Sequence, residues 1–300
     1  MFFAPEKLNF DRDGRDWPHR ESSRFVDAAG LTWHVQERSP EGVDAKKTVV
    51  LIHGTGASTH SWRAIFPILS ERYRVLAFDL PGQGFTDSLS GESPTLPKMA
   101  KKVEALFQAL NLEGSLVVGH SAGAAIALQL ALNGAVTPHA VVSINGALYP
   151  FPGAASAIFP MLAKVLFLNP VVPHVFAMGA GGRHRVERLL EGTGSKLDDE
   201  GLSLYQRLFK NPAHVRATLA WMANWNLEPL VEAMPDIKVP FLQIIGSEDE
   251  TIAPANAYVT QSRIKHAEMV KLAGFGHLVH EEDPQIVADH IVAFAEKNAF

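Results

Sequence analysis

Short apolar runs bounded by turn residues alternate along the chain with longer amphipathic stretches. Thr48 to Ile52, Leu116 to Val118, Ala140 to Ile144 and Val239 to Ile245 are almost continuously apolar and rich in β-branched residues. That pattern predicts strands buried on both faces. Arg74 to Phe78 and Glu268 to Leu272 read as further strands. Arg24 to Val26 and Leu31 to Gln36 alternate apolar with polar around Ala29-Gly30, a hairpin signature. A helix is expected over about residues 60–71. Another runs from a Thr95 N-cap to Leu110, with Met99, Val103, Leu106, Phe107 and Leu110 on one face. The stretch after Ser121 is apolar all round to Leu132, as a buried helix would be. The last helix has Asp283 as N-cap and Pro284 at its first position. Residues 1–20 are polar and read as an irregular arm.

Strands alternating with helices predict an α/β fold with a mostly parallel, doubly wound sheet. The alternation stops at about residue 149 and resumes at about 237. Residues 1–148 and 237–300 are therefore expected to form the core domain, and 149–236 a helical insertion or cap over the carboxyl edge of the sheet. Helices are expected there at about 183–192, 201–210 and 213–225. From Tyr149 to Gly182 the one formally charged residue is Lys164, yet Pro150, Pro152, Pro160, Pro170 and Pro173 interrupt the run. A spanning helix needs about 20 apolar residues, so no transmembrane segment is expected.

Composition narrows the functions. With 47% hydrophobic and 20% charged residues, the chain has an ordinary globular make-up. Its net charge of −5, with no basic block, speaks against nucleic acid as a partner. The absence of Cys removes disulfides, thiolate catalysis and Cys-ligated metals. Met1-Phe-Phe-Ala-Pro-Glu6 has no basic n-region followed by an apolar h-region, so a cytoplasmic protein is expected, with peripheral contact to a membrane left open.

The chemistry centres on Gly119-His120-Ser121-Ala122-Gly123, between a predicted strand and a predicted helix. A nucleophile elbow needs small residues two positions either side of the Ser, because the turn is too tight for side chains. A Ser hydroxyl needs an imidazole to take its proton, and the imidazole needs an acid to fix its tautomer. Asp249, in Gly246-Ser-Glu-Asp-Glu-Thr-Ile-Ala-Pro254, is the candidate acid, with Glu248 and Glu250 as rivals. His277, after Gly276, is the candidate base, with His280 as rival. A His-x-x-His-Glu metal reading of 277–281 lacks a third ligand, and neither metal nor cofactor is expected. The oxyanion donors are expected to be the Ala122 and Thr55 N–H groups, the latter from His53-Gly54-Thr55-Gly56. His53 is expected to orient that loop. Gly54, Gly56, His120, Trp221 and Trp225 are candidates for a substrate pocket.

In chain order, His53-Gly54, Asp79-Leu-Pro-Gly82, Gly119-x-Ser121-x-Gly123, Gly246-x-x-Asp249 and Gly276-His277 resemble the α/β-hydrolase superfamily from about Arg24 to Ala295. The resemblance implies an eight-stranded sheet with a cap. Ser121 at the elbow differs from the Asp of the haloalkane dehalogenase and epoxide hydrolase branches. Asp16-Trp-Pro-His-Arg20, Trp33-His-Val-Gln36, His53 to Arg63 and Ser143-Ile-Asn-Gly-Ala-Leu148 further resemble the magnesium-chelatase accessory proteins of bacteriochlorophyll biosynthesis. That likeness implies magnesium chelatase or a porphyrin as partner, an apolar cap suited to a flat macrocycle, and Arg side chains of Gly181-Gly-Arg-His-Arg185 and Arg188 near its carboxylates. Two functions stand open. One is a serine hydrolase acting on a small hydrophobic ester or related acyl substrate. The other is a non-catalytic porphyrin-binding or chelatase-assisting protein. Cofactor-free haloperoxidation and carbon–carbon bond hydrolysis are further uses of the same three side chains.

Overall fold

The computed structural model describes residues 5–41, 47–150, 166, 169, 171–179 and 182–300. Eight strands are present: β1 (Ser23–Ala28), β2 (Leu31–Arg38), β3 (Thr48–Ile52), β4 (Arg74–Phe78), β5 (Leu116–His120), β6 (Ala140–Ile144), β7 (Phe241–Gly246) and β8 (Glu268–Leu272). They form one sheet in the order β1-β2-β4-β3-β5-β6-β7-β8. β1 and β2 pair antiparallel across Ala29 (φ 53) and Gly30 (φ 75), the two positive-φ residues that a tight hairpin turn requires. β2 is antiparallel to β4, and the remaining pairs are parallel. β3 lies between β4 and β5, so the chain leaves it first to one side and then to the other. That switch point opens a crevice at the strands' carboxyl ends.

The two-residue period of the strands divides the core. Val50, Ile52, Leu76, Phe78 and Val117 face α3 (Leu96–Leu110) and α4 (Ala122–Asn133). Their neighbours Val49, Leu51, Val75, Ala77, Leu116 and Val118 face α2 (Ile65–Leu69) and the last helix, α12 (Pro284–Lys297). β3 and β5 are buried along their whole length, which is why their sequences do not alternate.

Several expectations are refined. The helix expected over 60–71 is a 3₁₀ turn, Thr59–Trp62, followed by the short α2. Pro67 has no N–H to donate and fits only the first turn of a helix, so α2 starts two residues before it. Thr95 occupies the N-cap of α3 without a side-chain cap bond, whereas Asp283 caps α12 by accepting from Ile286 N–H at 3.1 Å. The described part of the expected arm, residues 5–20, is more ordered than its polarity suggests. Asn9 caps α1 (Phe10–Asp13), and Trp17 is buried against Phe85, Leu204 and Leu208 with its Nε1 donating to Thr59 Oγ1 at 3.1 Å. α10 (Asn256–Arg263) had no clear sequence signal.

Between β6 and β7 the described residues form α5 (Val172–Gly179), α6 (Arg183–Glu191), α7 (Asp199–Phe209), α8 (Pro212–Asn224) and α9 (Glu228–Ala233). Pro152, Pro160, Lys164, Pro170 and Gly181 lie outside the described residues. Asp198 and Asn211 cap α7 and α8, accepting from Gly201 N–H at 2.7 Å and His214 N–H at 2.9 Å. Among the described residues, no helix is long and apolar enough to cross a membrane.

Candidate active site

β5 ends at His120 and α4 begins at Ala122, leaving Ser121 alone in the turn between them. Its φ of 52° and ψ of −117° are a strained combination for a residue with a side chain. The elbow is closed from both sides. A Cβ on Gly119 would lie 2.5 Å from Ala124 N, and one on Gly123 would lie 2.1 Å from Ile52 O. Both glycines are therefore required by backbone-to-backbone contact. Ser121 N–H donates to Ile144 O at 3.0 Å, which ties the turn to the end of β6.

Asp249 and His277 arrive from the loops after β7 and β8. His277 Nδ1 donates to Asp249 Oδ2 at 2.8 Å, so the neutral ring keeps its lone pair on Nε2. The other carboxylate oxygen, Oδ1, accepts from Thr251 and Ile252 N–H, both at 2.8 Å. Asp249 and His277 are each 6% exposed, so the pair is shielded from water. The rivals lie elsewhere. Glu248 accepts from the Ser247 hydroxyl at 2.9 Å, and Glu250 is exposed. The His280 ring packs between Trp62 and His120. Glu281 turns toward Arg63 and Tyr205, so 277, 280 and 281 do not converge on a common point. Among the described residues no group of three His, Cys, Asp or Glu side chains is placed to hold a metal ion.

The His53-Gly-Thr-Gly56 loop presses on the elbow. A Cβ on Gly54 would come within 2.9 Å of His120 Nδ1 and 3.0 Å of Ser121 Cβ. His53 shapes this loop from below. Its Nε2 accepts from Leu80 N–H at 2.9 Å, so Nδ1 carries the proton and donates to Gly54 O at 2.8 Å. Among the described residues, the Thr55 and Ala122 amides have no acceptor. Asp79 braces the same region, accepting from Thr59 N–H, Phe85 N–H and His34 Nδ1 at 2.7, 2.9 and 2.8 Å. Burial alone would raise its pKa, but the His34 imidazole and these donors bring it down to about 2.

Two further residues hold the site without a strong sequence signal. Asn145, at φ 44°, donates from Nδ2 to Gly276 O and His277 O at 2.9 and 2.8 Å. Its Oδ1 accepts from Gly246 N–H at 2.8 Å, so one amide joins the ends of β6, β7 and the loop that carries His277. The clue was Asn-Gly directly after a strand, a pair that tolerates positive φ. Gln83 Oε1 accepts from Gly56 N–H at 2.8 Å and shapes the loop that carries Thr55.

The expected pocket residues divide. Gly54 touches the elbow, and a Cβ on Gly56 would lie 3.5 Å from Thr218 Cγ2 of α8. His120 is buried against the His277 ring, its Nε2 donating to His277 O at 3.0 Å. Trp221 and Trp225 stack with ring centroids 5.0 Å apart, and Trp221 Nε1 donates to Pro81 O. Both pack on the sheet core, and Trp221 also lines a cavity of about 680 Å³ with Arg216, His174, Glu92, Pro81 and Leu89. Ser121, Asp249 and His277 do not line that cavity. Arg183 pairs with Asp199, and Arg185 donates to Gly179 O.

Ionisable groups around the site are strongly perturbed. Burial keeps His120 and His60 neutral, well below the usual imidazole range, and brings His214 to about 4 and His280 to about 3. Burial also pushes Glu281 up to about 7, against the pull of Arg63 and the hydrogen bond from Tyr205.

The sequence profile of the alpha/beta hydrolase fold matches residues 47–284. The chain is 38% identical over 266 residues to the magnesium-chelatase 30 kDa subunit of Rhodobacter capsulatus, covering 89% of this chain and 92% of that protein. It is 28% identical over 259 residues to a pimeloyl acyl-carrier-protein methyl ester esterase of Aeromonas hydrophila, covering 83% and 94%. Among solved structures, a putative lipase from Acinetobacter baumannii superposes with a TM-score of 0.78 at 23% identity, covering 98% of both chains.

Proposed function

From the premise that this chain belongs to the alpha/beta hydrolase fold family, on the match over 47–284 and the 38% identical relative, we propose that it is a serine hydrolase. The observation that carries the proposal is Ser121 held at φ 52° between β5 and α4, where it stands at the amino end of a helix. Ser121 Oγ attacks the substrate carbonyl while His277 Nε2 takes its proton, and Asp249 holds the ring in the tautomer that permits this. The oxyanion is received by the Thr55 and Ala122 N–H groups. Removing one such donor typically costs about 3 kcal/mol of transition-state stabilisation. His277 then protonates the leaving group, and water, deprotonated by the same ring, releases the acyl group. Among the described residues Ser121 Oγ makes no hydrogen bond to the His277 ring. Such bonds commonly tighten only with substrate in place. In this reading 149–236 is the cap, 1–148 with 237–300 is the core, and the apolar cap selects a hydrophobic acyl substrate in a cytoplasmic setting.

A second reading is favoured by one specific observation. The cavity of about 680 Å³ falls within the usual range for ligand sites, and its wall combines Trp221 and small apolar residues with the polar Arg216, His174, Glu92 and Asn224. Its lining excludes the three side chains of the hydrolase reading. That arrangement suits a flat, carboxylated macrocycle, in line with the name of the 38% identical relative. A porphyrin held there, or delivered to magnesium chelatase, needs no acyl transfer.

A fluorophosphonate probe separates the two. The hydrolase reading expects covalent labelling of Ser121 that disappears in Ser121→Ala. An unlabelled wild-type protein that quenches protoporphyrin fluorescence at micromolar concentration, with quenching lost in Trp221→Ala, would establish the second reading in its place.

A further inference from the structure

The turn that joins α6 to α7 inserts its backbone between the loop carrying Asp249 and the loop carrying His277. Thr193 closes the end of α6, its N–H and its hydroxyl both donating to Leu190 O. Its carbonyl then accepts from two amides, His277 N–H at 3.1 Å and Glu250 N–H at 3.3 Å. Contact along this seam is backbone to backbone. A Cβ on Gly194 (φ 82°) would lie 1.9 Å from Glu248 O, and one on Gly276 would lie 2.3 Å from the Gly194 carbonyl carbon. Ser195, 1% exposed, accepts from Leu278 N–H at 2.8 Å and donates to Glu282 Oε2 at 2.9 Å. The same Glu282 oxygen accepts from Gly276 N–H at 2.9 Å, and Oε1 accepts from Lys196 N–H at 3.1 Å. The three consecutive amides of Gly276, His277 and Leu278 are thus all held by this turn or by the carboxylate bonded to it. From the sheet side, Asn145 holds only the carbonyls of Gly276 and His277.

We infer that residues 193–195 are a clamp on the base. With the insertion seated, the His277 ring is held against Asp249. When the insertion shifts, the buried amides of His277 and Leu278 lose their acceptors together, Gly276 N–H is left on a Glu282 carboxylate no longer tied to Ser195, and Ser121 loses its base. The inference rests on the serine-hydrolase reading and deepens it, since it makes the insertion a regulator of His277 as well as a wall for substrate. The base loop has glycines at 274 and 276, so its own backbone preferences restrain it little. A buried N–H without an acceptor is costly, which makes the arrangement close to all-or-none. Ser195 acts here as a positioning residue, reaching the substrate only through His277.

Ser195→Ala in the full chain tests this by two measurements. Hydrogen exchange should speed up about tenfold or more at the amides of 276–278, as expected for losing one buried hydrogen bond and loosening its neighbours, while 116–128 exchanges as in the wild type. Fluorophosphonate labelling of Ser121 should slow at least tenfold and lose its dependence on the ionisation of an imidazole, because the hydroxyl then reacts unassisted. Glu282→Gln, which keeps the shape but weakens both ends of the clamp, should change the same two readouts in the same direction and carries the test if Ser195→Ala does not fold. Exchange at 276–278 that is unchanged, or faster to the same degree across the whole sheet, overturns the clamp. So does a wild-type labelling rate and pH profile in a well-folded variant. A wild-type protein that takes no label overturns the hydrolase reading instead, and the exchange measurement alone then decides the clamp.

Discussion

In the serine-hydrolase reading, the backbone at Ser121 carries as much of the function as the hydroxyl does. A positive φ at a non-glycine residue is held only where its surroundings leave no alternative, and here those surroundings are glycines. Gly123 is the sharpest case, because the atom nearest its missing Cβ is a carbonyl oxygen of β3 at 2.1 Å, and backbone cannot swing aside as a side chain can. Gly123→Ala should therefore cost at least the 1–3 kcal/mol typical of overpacking, and it should abolish labelling of Ser121 even in the folded fraction. A thermal melt and a probe assay check both. A variant that melts and labels like the wild type would show that the elbow is looser than these contacts require. Ser121 and both glycines were legible in the sequence because the turn admits few other residue types. Asn145 was not, since its role comes from three partners more than a hundred residues away in the chain.

Between elements, the junction of α7, α11 (Val279–Glu282) and the Thr59–Trp62 turn is held by a buried polar network. Arg63 bridges Glu281 and Asp198, and Tyr205 donates to Glu281 Oε1 at 2.8 Å. The folded-state pKa of Glu281, about 7, lies above the ordinary 4.5. Its contribution to stability is therefore fully present below about pH 4.5 and is lost as pH rises through 7, where a buried carboxylate must exist. Tyr205 donates to that carboxylate, and such charge-assisted bonds are the stronger ones. Tyr205→Phe should thus destabilise by about 1–2 kcal/mol at pH 8 and by less at pH 5. Equal losses at the two pH values, measured as shifts in melting temperature, would count against this account. Sequence periodicity placed α7 and α8 to within a few residues, but it said nothing of Arg63, a surface-type residue that the fold buries to 8% exposure.

Over the whole molecule, the histidines govern the response to acid. His53, His60, His120, His214 and His280 are buried, and burial lowers the pKa of each. The unfolded chain takes up these protons near pH 6.5, so stability is complete above that value and is lost as pH falls toward the folded values of about 4 for His214 and 3 for His280. At pH 5, 1.5 units below the unfolded value, each of these two costs about 2 kcal/mol. Glu281 works in the opposite direction over 4.5 to 7, but it is one carboxyl against five imidazoles. The melting temperature should fall steeply between pH 7 and pH 5, and a flat profile over that range would show that water reaches these rings.

The sequence by itself determined the fold class and the order of the eight strands, and it singled out the three residues on which the hydrolase reading rests. These follow from local rules: apolar period, turn chemistry, and glycines where no side chain fits. Only the tertiary structure decided that Asp249 divides its two oxygens between His277 and the Thr251 and Ile252 amides, that His120 packs against the His277 ring, and that 193–195 reach back to the loops after β7 and β8. Those outcomes depend on hydrogen bonds between residues far apart in the chain. Such contacts leave no period or composition behind, because a backbone carbonyl such as that of Thr193 looks the same in any sequence.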